Sequence, residues 1–125
     1  MIIADHISTI LTVTGVVTGL VVLQFFLPVA VLRLLSKIDM HDEAGLFFAR
    51  HWGLLAFVIG GLLVYSADHA EARGAIMLAA AVEKAGLVAL VLLHGRRPYT
   101  RGLRLAAGFD GVCVLIYAAY LLGLA

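Results

Sequence analysis

A chain of 125 residues that is 63% hydrophobic and only 14% charged carries more apolar surface than one soluble domain can hide. Small domains leave much of their surface exposed, and soluble chains average about 25% charged residues. Lipid must therefore cover the excess, and the length allows one compact domain. The net charge of +1 says little by itself, and the single cysteine, Cys113, excludes an intramolecular disulfide and any CxxC redox pair.

About 20 apolar residues cross the hydrocarbon as a helix. The first such stretch, residues 7–32, holds no Asp, Glu, Lys or Arg. It lacks the basic flank of a signal peptide and exceeds a typical signal core, so it is expected to be a retained span. A second span is expected over 46–66, a third over 74–93 and a fourth over 103–124. The fold class is therefore all-α, a bundle of four transmembrane helices.

Basic residues outside the span centres are uneven. The first connection carries Arg33 and Lys37, and the third carries Arg96, Arg97, Arg101 and Arg104. Arg73 stands alone on the other side. The positive-inside rule then puts these two connections in the cytoplasm and both termini outside. So steep a bias predicts one fixed topology. The third connection is expected to meet anionic headgroups and is too short for a nucleic-acid role.

Charges also fall within the spans: Arg50 and His51 near the start of the second, Glu83 and Lys84 near the middle of the third, Asp110 in the fourth. Each charge at a helix centre costs roughly 2.5–3.5 kcal/mol unless it is paired. At about 1.5 Å per residue, Lys84 lies roughly 15 Å from the cytoplasmic end of its span and Asp110 roughly 10–12 Å. Lys84–Asp110 is the first expected pair. Glu83 points about 100° away from Lys84 on the helix, so Arg50 or His51 is its expected partner. Gln24 lies at comparable depth, and Pro28 frees its carbonyl near an expected kink. The expected site is thus one cytoplasmic-side layer of Gln24, Arg50, His51, Glu83, Lys84 and Asp110, with Tyr117 and Trp52 as further polar tips. Its role is either a register lock or a ligand or proton site.

The remaining residues read more plainly. Asp68 followed by Glu71 predicts an N-cap and acidic first turn for the third helix, and this outweighs metal binding by His69 with those acids. No metal site is expected. The polar stretch around His41 resembles a helix start, and His94 suits a helix C-terminus. Gly15 and Gly19, Ala56 and Gly60, and Ala107 and Gly111 form small-xxx-small spacings that favour close helix packing. Walker, HExxH, GxSxG and dinucleotide motifs are missing, so no catalytic residue or cofactor is assigned and an enzyme is the least favoured class.

Phe48-Ala49-Arg50-His51-Trp52-Gly53-Leu54-Leu55 and Gly108-Phe109-Asp110-Gly111, with the four-span layout, resemble small uncharacterised bacterial four-helix membrane proteins near the DoxX-like group. That resemblance implies the fold and a bacterial inner membrane, and brings no activity with it. The leading functional expectation is a bundle that binds a lipid- or quinone-like small molecule at the polar layer. The alternatives are a proton-coupled transporter or channel, working as an oligomer, and an accessory subunit of a larger membrane complex.

Overall fold

A computed structural model describes residues 2–124, which are helical throughout apart from the connections. After a helical turn at Ile2–Asp5 come α1 (Ile7–Phe26), α2 (Pro28–Leu35), α3 (Glu43–Ala67), α4 (Ala70–Leu93) and α5 (Arg104–Leu121). A tight helical segment, Pro98–Leu103, leads into α5. Four helices are long and apolar enough to cross a bilayer, of 20, 25, 24 and 24 residues, the last counted from Pro98. At about 1.5 Å per residue they measure roughly 30–38 Å, against a hydrocarbon core of about 30 Å. Large apolar side chains on their outer faces, such as Val16, Phe57, Val82 and Leu115, are exposed. The chain is a multi-pass membrane protein.

The first span is shorter than the apolar run of the sequence. Leu27 adopts φ −131° and ψ 63°, α1 stops at Phe26, and α2 begins at Pro28 as a separate helix. Proline disfavours helical backbone in the residue before it, yet suits the first position of a new helix, where no amide hydrogen is needed. The expected kink is therefore a complete break.

Two helix pairs make the bundle. In the first, α1 lies against α3 with glycines at the crossing. A Cβ on Gly60 would stand 2.5 Å from the Gly15 carbonyl and the Gly19 amide. One on Gly53 would stand 2.9 Å from the backbone of Val21 and Phe25. The small-residue spacing thus serves packing within the chain, where backbones can approach only if no side chain intervenes. The second pair is α4 with α5, and α3 joins the pairs through the short turn to α4.

Ile7, Leu11, Leu63, Ala67, Met77, Ala80, Cys113 and Tyr117 form the buried apolar core. They come from the start of α1 and α4 and the later parts of α3 and α5, so the core fills the half of the bundle nearest the termini. At that end Arg73 donates to the carbonyls of Ser66 (3.0 Å) and Ala67 (2.9 Å). Ser8 Oγ donates to Ala67 as well, at 2.8 Å. These bonds satisfy carbonyls that a helix end leaves open.

The first and third connections meet at the opposite end, where Gly102 sits against the Ser36 carbonyl too closely to admit a side chain. Asp42 caps α3 by accepting from the Gly45 amide at 2.7 Å. Asp39 accepts from Arg33 at 2.8 Å and lies 2.9 Å from His41 Nε2. The Arg33 bond, then the His41 contact, hold this exposed carboxyl below the usual carboxylate range. At the other end the expected Asp68 cap is not made. His69 occupies the N-cap position without a side-chain bond to the helix it precedes, and Asp68 ends α3. The His69 ring instead stacks on Tyr65 and contacts its carbonyl, so the chain stays wound one residue further than the acidic pattern implies.

Candidate functional site

The six polar residues expected in one layer separate into two clusters, with Glu83 and His51 outside both. The reason is depth. Gln24 lies six residues beyond Thr18 on α1, roughly 9 Å further along the axis, and meets a different part of α3.

The central cluster is built on Lys84. Its Nζ donates to Asp110 Oδ1 and to Thr18 Oγ1, both at 2.9 Å, and lies 5.0 Å from the Phe109 ring centroid. The two charged side chains are 1% and 11% exposed. Lys84 thereby joins α1, α4 and α5 in one contact, and the expected Lys84–Asp110 pair is made. Thr18 in turn donates to the Thr14 carbonyl, and Thr14 bonds the buried Tyr117 hydroxyl and the Ile10 carbonyl. A continuous polar thread thus runs from Asp110 through Lys84 and Thr18 to Tyr117, across the seam between the helix pairs. Buried polar groups cost free energy unless hydrogen bonded, and this arrangement satisfies them mutually.

The second cluster closes the broken end of α1. Gln24 is 2% exposed and its Nε2 donates to the Ala49 carbonyl at 2.8 Å. Arg50 NH1 donates to the Phe25 carbonyl at 3.0 Å, a group that loses its helical partner when the chain breaks at Leu27. Arg50 is otherwise exposed, as is His51. The expected pairing of Glu83 with Arg50 or His51 is not made, because both side chains belong to the outer face of α3 rather than to the seam.

Glu83 is left over. It is half-buried on α4, and among the described residues its Oε2 is the one buried side-chain oxygen or nitrogen without a hydrogen-bond partner. Lys84 follows it directly, yet adjacent helical residues diverge by about 100° and the ammonium is turned to Asp110. Thr18, the partner that sequence reasoning missed, was signalled by its spacing with Thr14: two hydroxyls four residues apart share a helix face. No three or more His, Cys, Asp or Glu among the described residues are placed to hold a metal.

Comparison with known proteins yields no relative: no protein-family model, curated protein or solved structure matches the chain.

Proposed function

We propose that the protein binds a lipophilic small molecule, lipid- or quinone-like, within the membrane, and that Glu83 receives its polar end. The observation that carries this reading is the unpartnered Oε2 of Glu83, in a span whose other buried polar groups are satisfied. Ionisable residues within spans are costly, and one left without a partner marks a functional group by default. Lys84, Asp110, Thr18, Gln24 and Arg50 are bonded within the chain, which leaves them a positioning role. A hydroxyl or amine on the ligand, which in the quinone class means the reduced quinol, is the donor that an acceptor-only carboxylate requires.

The same carboxyl supports a second reading, a proton-coupled transporter or channel working as an oligomer. The closed Lys84–Asp110–Thr18 contact favours the accessory-subunit reading for those residues alone. The basic connections lie in the cytoplasm and both termini outside, in a bacterial inner membrane, on the positive-inside rule and the resemblance to the DoxX-like group.

Organic extraction of protein purified in mild detergent, followed by mass spectrometry, tests the proposal. A stoichiometric lipophilic compound is expected with the parent and lost from Glu83→Gln, while the variant keeps its helicity and its elution volume. The absence of any compound that the parent holds and Glu83→Gln loses overturns the binding reading. Proton-coupled flux in vesicles that Glu83→Gln abolishes would replace it with the transport reading.

A further inference from the structure

At the end of α4 the chain forms two open surface depressions, an outer and an inner, that share His94 in their linings. The outer one, about 440 Å³, is lined by Leu92, Leu93, His94, Gly95, Arg96 and Arg97. The inner one, about 270 Å³, lies between α4 and the approach to α5, with Leu87, Leu90, Val91 and Leu103 on its walls. The walls are apolar from Leu87 to Leu93, roughly 9 Å along α4, and cationic at Arg96 and Arg97 in the turn that follows it. The guanidinium groups of both arginines make no hydrogen bond or ion pair with any described residue. Residues 94–109 contain four arginines and no acid. The contact of Gly102 with Ser36 also brings the first connection, with Lys37, to the same end.

From this geometry we infer a binding site for one anionic phospholipid. Its phosphate sits against Arg96 and Arg97 in the outer depression, and the upper part of an acyl chain lies in the groove between Leu87 and Leu103. Guanidinium groups match phosphate oxygens in fixed, two-pronged geometry, and basic pockets beside spans suit anionic headgroups. An apolar depression that shares His94 with the basic one offers an acyl chain a surface that a free phosphate cannot use. Charge complementarity selects an anionic over a zwitterionic headgroup. The site is separate from Glu83 and does not depend on the ligand proposed there.

Fluorescent phosphatidylglycerol titrated onto the purified full-length protein in micelles, read by polarisation, tests the site. Phosphatidylcholine and inorganic phosphate serve as competitors. The double change Arg96→Gln with Arg97→Gln is expected to weaken binding about 30-fold, near fivefold for each charge lost at an anionic surface. Leu90→Trp alters no charge but fills the groove, and a loss of at least about fivefold is expected, on the order of one filled side-chain position. Arg101→Gln, outside both depressions, is expected to change affinity less than threefold, as a roughly screened surface charge does. Equal losses from Arg101→Gln and from the double variant, or no loss from Leu90→Trp, would reduce the effect to general surface charge and overturn the site. Equal competition by phosphatidylcholine overturns the headgroup assignment, and equal competition by inorganic phosphate overturns the lipid.

Discussion

Removing one partner of the Lys84–Asp110 pair is the sharpest perturbation the fold offers. In Lys84→Met the side chain keeps its length and apolar stem but loses both 2.9 Å bonds, to Asp110 and to Thr18. Thr18 keeps its bond to the Thr14 carbonyl, so the cost falls on Asp110. Breaking a buried pair costs about 3–5 kcal/mol, and insertion scales place an unpaired charge at about 2.5–3.5 kcal/mol. The two ranges overlap near 3 kcal/mol, so a cost of about 3 kcal/mol is expected. Asp110→Leu should cost a similar amount by stranding the ammonium. The double variant removes both charges and should fall within about 1 kcal/mol of the parent, since apolar replacement of a buried pair is often neutral. Unfolding titrations in mixed micelles, followed through Trp52, the only tryptophan, measure all three. Costs below about 1 kcal/mol for each single variant, adding up in the double, would show that the pair is uncoupled and refute its role as a lock.

Gly60→Ala places a methyl against the backbone of Gly15 and Gly19 and should destabilise the bundle by about 1–3 kcal/mol, whereas Gly61→Ala meets nothing within 4 Å and should be neutral or better. Thermal unfolding of the two neighbours in the same detergent separates the α1–α3 crossing from general helix propensity. Reporter fusions active only in the cytoplasm should be silent at the C terminus and active when inserted at Gly95. The reverse pattern would overturn the assigned orientation.

The polar layer shows where one-dimensional reading succeeds and where it stops. Lys84 and Asp110 were legible because depth in a span follows from residue count, and two opposite charges at similar depth in antiparallel helices have few other partners. Thr18 was not chosen because a hydroxyl can satisfy itself on its own helix, so nothing in the sequence required it to reach α4. Arg50 failed as a partner for Glu83 for a different reason. It lies shallower, beside Gln24 at the broken end of α1, and its side chain stays on the outer face of α3. Helix rotation depends on which face carries the glycines, and Gly53, Ala56 and Gly60 turn α3 toward α1, leaving Arg50 and His51 exposed.

The sequence by itself determined the solvent, the number of spans and the asymmetry of the basic connections. Those follow from hydropathy and charge summed along the chain, and neither sum depends on how the helices are rotated. Only the tertiary structure decided that the break at Leu27 ends the first span, that Gln24 and Arg50 serve the α1–α3 interface, and that, among the described residues, Glu83 Oε2 is the buried side-chain oxygen left without a partner. Each of those depends on the azimuth of one helix against another, which backbone-to-backbone contact at the glycines fixes and which composition does not encode.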